Sequence, residues 1–296
     1  MLRESLEGQT LNGYALHKLI GGGSMGAVFR AEHSRFPMAL AVKVLSTLDD
    51  DEPDVLDRFQ REASLLRALD HANIVPILDY GEADGLCYFV MPLIDGPSLE
   101  RLMAQREFSP LATRNILAPL ASALTYAHSH HIIHRDVKPG NVMLEPRNGL
   151  GAHVYLMDFG LGKWLESSHH PTGARMTLGT PQYMAPEQVI GANVDHRADL
   201  YSLTVVLYQM LLGRLPFEHE SVQIIALRHV ESLPPPPRSL NTRFPKGLQN
   251  VLLRGLAKYP DDRYQTAAEL HDAFFEALRS MSEAERKATY RTESRA

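Results

Sequence analysis

The spacing of hydrophobic positions changes partway along the chain. Up to about residue 93, apolar residues alternate in short runs broken by Gly and Asp, a period of two that predicts strands over 14–20, 27–32, 39–45, 74–80 and 86–91. One segment among them follows a different rule. Val55, Leu56, Phe59, Ala63, Leu66 and Leu69 recur at intervals of three and four, which predicts a helix with Asp54 at its start, behind the acidic stretch 49–52. After residue 93 helical spacing dominates. Ser109-Pro110 supplies a capping hydroxyl and a first-turn proline to a helix over 111–130, which Pro119 is expected to kink. Residues 200–212 are apolar on nearly every side, which predicts a buried central helix ended by Gly213. Pro234 to Pro237 predicts a stiff extended connection on the surface. From Arg279 onward charge replaces the apolar stripe, so despite the capping-box residues Ser282 and Glu285 the tail reads as mobile or as a lone exposed helix.

Composition narrows the class. With 44% hydrophobic and 22% charged residues in 296, the chain can bury a substantial core as one extended domain or two lobes. A net charge of −5 without a dense Lys/Arg run argues against nucleic acid as a main partner. Cys87 is the single cysteine, so no intrachain disulfide forms, which fits a reducing, cytoplasmic setting. The longest apolar stretch, 203–212, is interrupted by Gln209 and falls short of the ~20 residues that span a bilayer, so no membrane segment is expected. Arg3, Glu4 and Glu7 stand where a secretory signal would be apolar.

Two segments carry candidate chemistry. In His134-Arg135-Asp136-Val137-Lys138-Pro139-Gly140-Asn141, Asp136 can accept a hydroxyl proton and Lys138 can neutralise charge on a moving phosphoryl group. Asn141, with the Asp158 of Asp158-Phe159-Gly160 seventeen residues on, offers hard oxygens suited to magnesium. Upstream, alternation puts Ala41 and Lys43 on one strand face and Val42 and Val44 on the other. Glu62 lies on the inward side of the predicted helix, where a carboxylate needs a cation, and Lys43 is the expected partner. Gly21-x-Gly23-x-x-Gly26-x-Val28 lets backbone N–H groups approach phosphates. It runs into a strand rather than a helix, which excludes a dinucleotide-binding turn. His128, His130, His131 and His134 cluster in sequence, but without Cys or carboxylate at ligand spacing they read as packing or surface residues.

These segments appear in an order that resembles the serine/threonine protein kinases over about residues 14–278. The glycine-rich loop is followed by Leu40-Ala41-Val42-Lys43, Glu62, the 134–141 loop, Asp158-Phe159-Gly160 and Ala185-Pro186-Glu187. The wording of 179–188 and 261–267 is similar to the bacterial, eukaryotic-like (Hanks-type) branch. The resemblance implies an α+β, bilobal protein kinase-like fold. It comprises a small β-rich N-lobe with its helix C (14–93) and a larger, mainly helical C-lobe (94–278), flanked by an N-terminal extension (1–13) and a charged tail (279–296). It further implies a non-specific serine/threonine protein kinase that transfers the γ-phosphate of ATP to Ser/Thr hydroxyls of proteins with Mg2+, or alternatively Mn2+.

By the resemblance, Gly21, Gly23 and Gly26 cover the phosphates, and Lys43, paired to Glu62, holds the α- and β-phosphates. Val28, Ala41 and Met143 sandwich adenine, with Met91 as gatekeeper and Pro92 and Ile94 offering hinge backbone groups. Pro92 departs from the acidic residue common there. Asp136 is the base, Lys138 the γ-phosphate clamp, and Asn141 and Asp158 the metal ligands. Glu187 and Arg263 form a buried ion pair, Asp199 braces the catalytic loop, and Thr180 contacts Asp136 and Lys138. Arg135 marks the subclass governed by activation-loop phosphorylation, with Thr172 and Thr177 as the favoured acceptors. Ser98, Gly140 and Gln209 replace acids that arginine-selecting relatives carry, which predicts weak dependence on upstream arginines. A homodimer through the N-lobe follows only by analogy. The competing readings are a pseudokinase scaffold and a small-molecule phosphotransferase of the same fold.

Overall fold

The computed structural model describes residues 6–23, 26–45, 54–147, 151–159 and 180–292. The chain divides into two compact units, one of residues 1–95 with 160–179 and one of residues 96–159 with 180–296.

The first unit is built on an antiparallel sheet of six strands: β1 (Thr10–Leu11), β2 (Tyr14–Gly23), β3 (Gly26–Glu32), β4 (Leu40–Leu45), β5 (Asp79–Ala83) and β6 (Leu86–Pro92), in the spatial order β1-β2-β3-β4-β6-β5. Among the described residues one helix, α1 (Asp54–Arg67), accompanies it. Alternation along β4 sorts its residues between two apolar clusters. Val42 and Val44 join Phe29, Tyr88 and Val90 in one, whereas Leu45 joins Cys87 and Phe89 in the other, against Phe59 and Ala63 of α1. Lys43 stands between Val28 and Phe89 in register, on the helix-bearing side of the sheet. Gly26 is required where it is. Its φ is +146°, and a Cβ there would overlap the carbonyl oxygen of Val44. Burial among apolar side chains pushes the Cys87 thiol up to about 11, with the Glu82 carboxylate adding to the shift.

The strand expected over 74–80 is displaced. Ile74 and Val75 are buried, but Ile74 donates to the His71 carbonyl in a turn and Pro76 has no N–H, so the strand itself runs only from Asp79 to Ala83. An apolar run therefore marked burial there without marking a strand.

The second unit holds α2 (Leu99–Gln105), α3 (Pro110–Ser129), the hairpin β7 (Val142–Arg147) and β8 (Gly151–Leu156), α4 (Pro186–Val189), α5 (Arg197–Leu212), α6 (Val222–Glu231), α7 (Pro237–Leu240), α8 (Lys246–Gly255), α9 (Ala267–Arg279) and α10 (Glu283–Lys287). The Ser109 hydroxyl accepts from the Ala112 N–H, with Pro110 at the first helical position, and α3 runs through Pro119 to Ser129. In α5 every residue except Arg197 and Gln209 is buried, and Gly213 ends it in left-handed geometry at φ +72°. Thr204 fits this core because its hydroxyl donates to the Leu200 carbonyl and faces Gly255, where any Cβ would overlap it. The extended connection holds only up to Pro236, since α7 begins at Pro237.

The tail departs from a mobile reading. Ser282 and Glu285 cap α10 reciprocally, as their spacing predicts, and α10 itself buries nothing. Beyond it Tyr290 is buried against Phe244 at 5.4 Å between ring centroids, and the Thr292 N–H donates to the Leu212 carbonyl. One aromatic anchor replaces the missing stripe.

Candidate active site

The catalytic-loop candidates converge within the helical unit. Lys138 Nζ lies 2.8 Å from Asp136 Oδ2 and donates to Thr180 Oγ1 at 3.4 Å. Asn141 Nδ2 donates to the Asp136 carbonyl at 2.8 Å and to its Oδ2 at 3.1 Å. With the amide nitrogen so engaged, the Asn141 Oδ1 remains as an acceptor for a hard cation. The Met157 N–H donates to the Asn141 carbonyl, which brings Asp158 alongside through the chain itself. Asp158 takes φ +68° and Arg135 φ +64°, both left-handed and strained for non-glycine residues.

A buried polar framework holds that strain. Asp199, fully buried on α5, accepts from the His134 N–H at 2.8 Å and the Arg135 N–H at 2.7 Å, and lies 2.8 Å from His128 Nε2. Burial alone would raise its carboxyl pKa, but the bond from His128 and the neighbouring imidazoles hold it below the usual range. The His134 ring is neutral, and its tautomer follows from its partners. Nε2 faces the Met157 carbonyl, which can only accept, and Nδ1 accepts the Asp136 N–H. Burial lowers the pKa of this imidazole against the pull of Asp199 and Asp136. Gln188 Nε2 ties the Arg135 carbonyl to α4 at 2.9 Å.

Glu187 and Arg263 form the expected buried pair, bidentate at 2.7 and 2.8 Å. The remaining guanidinium donors reach the carbonyls of Ala257, Arg197 and Lys258, so all five N–H groups of Arg263 have acceptors.

In the β-rich unit, Lys43 and Glu62 are each half-buried, and no ion pair joins them among the described residues. Burial of Phe59 and Ala63 fixes the rotation of α1 and leaves Glu62 at the edge of its apolar stripe. Ala41 and Met91 are register partners, both buried, and Val28 pairs with Lys43. Pro92 pairs with Leu40, and Ile94 follows it, half-buried. Gly21 pairs with Val28 and Gly23 with Gly26. Met143 lies on β7, bridged to Ser98. Thr172, Thr177 and Gly160 lie outside the described residues.

Two contributors escaped sequence reasoning. In sequence His128 falls among the clustered histidines, yet its position on α3 aims it at Asp199. Gln188 gave no signal beyond its place after Glu187.

Comparison with known proteins shows the family. Residues 14–275 match the protein kinase domain family. The serine/threonine-protein kinase Pkn1 of Myxococcus xanthus is 38% identical over 279 residues, covering 93% of this chain and 40% of the relative. PknB of Mycolicibacterium smegmatis is 40% identical over 263 residues, covering 87% of this chain and 41% of its own length. The chain thus spans less than half the length of these relatives. A crystal structure of the Mycobacterium tuberculosis PknI kinase domain aligns with a TM-score of 0.72 at 32% identity, covering 92% of this chain and 98% of that one. With the catalytic-loop geometry, the Glu187–Arg263 pair and a match over most of its length, this chain belongs to the protein kinase domain family.

Proposed function

We propose that this domain is a serine/threonine protein kinase that transfers the γ-phosphoryl group of ATP to side-chain hydroxyls of proteins. The observation that carries the reading is the meeting of Asp136, Lys138, Asn141 and Thr180 on one buried framework. In the reaction the acceptor oxygen bonds to the γ-phosphorus, the bond from that phosphorus to the β–γ bridging oxygen breaks, and ADP leaves. Asp136 takes the hydroxyl proton, oriented for it by Asn141, while the Lys138 ammonium offsets charge on the moving group. Magnesium, or manganese in its place, when held by Asn141 and Asp158, would shield the phosphate oxygens.

On the β-rich unit, Lys43 holds the α- and β-phosphates under Gly21, Gly23 and Gly26. Val28 and Ala41 contact adenine, and Met91, Pro92 and Ile94 border it. Nucleotide loading brings Glu62 to Lys43. Arg135, whose side chain forms no ion pair among the described residues, receives a phosphate on Thr172 or Thr177 placed there by self-phosphorylation, which a homodimer through this unit would promote. No helix among the described residues is long and apolar enough to cross a membrane, and we assign the domain to the cytoplasm.

Radiolabel transfer from ATP to casein, compared with Asp136→Asn, tests the reading. Loss of at least ~100-fold in the variant supports it. Equal labelling by both proteins, or labelling of small alcohols with no protein labelled, overturns it.

A further inference from the structure

His229 of α6 is fully buried where α5, α6 and the turn Pro181–Tyr183 meet. Its Nδ1 lies 2.9 Å from the hydroxyl of Tyr201 on α5, and the Arg263 guanidinium lies over the Tyr201 ring at 4.9 Å. The Phe217 ring packs edge-on against the imidazole at 4.9 Å between centroids. Lys258 Nζ, 4.7 Å from the centre of that same Phe217 ring, donates to the His229 carbonyl at 2.6 Å and to the Arg228 carbonyl at 3.3 Å, which closes the end of α6. The Gln182 backbone lies beside the imidazole on the side of the turn.

Filling space does not require a histidine here, since a leucine would occupy the site without a polar edge. Burial and the Lys258 charge keep the imidazole neutral, so one ring nitrogen carries a hydrogen. Tyr201, its phenol held protonated by burial, donates to Nδ1 and leaves that hydrogen on Nε2. Among the described residues Nε2 is buried with no acceptor, and Gln182 Oε1 is buried with no donor. Two neighbouring residues thus hold a donor and an acceptor that complement each other, and leaving both unmade is costly inside a core. The start of the turn is slack as well. Tyr183 is fixed to α5 through Ser202 at 2.7 Å and Gln209 at 2.7 Å, but Thr180 Oγ1 takes Lys138 Nζ at 3.4 Å, long for a bond from an ammonium.

We propose that His229 is a positioning residue for phosphoryl transfer: its Nε2–H bonds Gln182 Oε1 when an acceptor hydroxyl binds at Asp136, and the tightened turn brings Thr180 onto Lys138. This rests on the kinase reading above. Fully buried, His229 touches neither substrate nor nucleotide, and acts through Gln182, Thr180 and Lys138 in that order. None of these residues is assigned to adenine or to the α- and β-phosphates, so the effect falls on kcat and leaves KM for ATP unchanged.

The test measures kcat for casein and KM for ATP in His229→Asn, which keeps a nitrogen near the place of Nδ1, and in His229→Gln, which keeps one near the place of Nε2. His229→Asn is expected to lower kcat about tenfold, the scale of a small misplacement beside the base, with KM for ATP unchanged. His229→Gln should retain most of the activity, and Gln182→Leu should match His229→Asn. The double variant His229→Asn/Gln182→Leu should be no worse than either alone, because one contact can be lost only once. Equal loss in His229→Asn and His229→Gln, losses that multiply in the double variant, or KM for ATP rising in step with the fall in kcat overturns the proposal. Where His229→Asn does not fold, Gln182→Leu, at a half-buried position, decides alone. A fall in kcat of about tenfold at unchanged KM for ATP then supports the proposal, and one below about twofold overturns it. If the unaltered chain labels no protein, the kinase reading itself has failed.

Discussion

The two units position their working residues by different physics. In the β-rich unit, Lys43 faces the helix side of the sheet because Val42 and Val44 are buried on the other side, so register against β3 and β6 decides where it points. In the helical unit, the catalytic loop is held by charges sunk in the core, each matched by several hydrogen bonds. Apolar packing sets a face and tolerates adjustment. A satisfied buried ion tolerates little, because losing one partner strands the other. Glu62, on a helix packed through Phe59 and Ala63, makes no ion pair with Lys43, whereas Glu187 meets Arg263 at two points.

Three measurements bear on that contrast. The largest effect is expected from Arg263→Met, which leaves Glu187 and three carbonyls without donors and should cost about 3–5 kcal/mol in urea unfolding. A loss below ~1 kcal/mol would mean that the pair is not what fixes this unit. Val42→Ala should cost less, about 2 kcal/mol by the same measurement, because two buried methyl groups are lost and no charge is stranded. Were it to match Arg263→Met, the contrast would collapse.

Taken per pH unit, the smallest effect is on pH dependence. Burial keeps His134 neutral and, together with the charge of Lys258, pushes His229 down to about 3. Below about pH 6.5 the unfolded chain gains protons that the folded one refuses, so stability falls as pH falls. The expected slope is at most about 1.4 kcal/mol per pH unit for each histidine. His229→Gln should flatten the profile between about pH 6 and pH 3, and an unchanged slope would remove His229 from the account.

How legible all this was depended on the range of the interaction. Period-two spacing placed β2, β3, β4 and β6, three-to-four spacing placed α1, a capping hydroxyl and first-turn proline placed α3, and an all-round apolar run placed α5, each close to its observed limits. The 134–141 loop was readable because its chemistry is packed into eight consecutive residues. The β7–β8 hairpin was overlooked, although Asn148-Gly149 between two apolar runs is a hairpin signal, and Pro146 within β7 disguised it. The Lys43–Glu62 pairing was inferred from types and faces, but two residues on separate elements meet only if the rotation and shift of both elements allow it. His128 is the converse case. It gains its role from Asp199, a residue distant in the chain, and local patterning carries no trace of such an encounter.

Cys87 lies on β6 beneath the Phe59 ring system, and its thiol is largely unionised near neutral pH. An alkylating reagent can then reach it only when the sheet and α1 separate. The rate at which this one sulfur is modified is therefore a built-in gauge of how often the β-rich unit opens, read without introducing a label elsewhere in the chain.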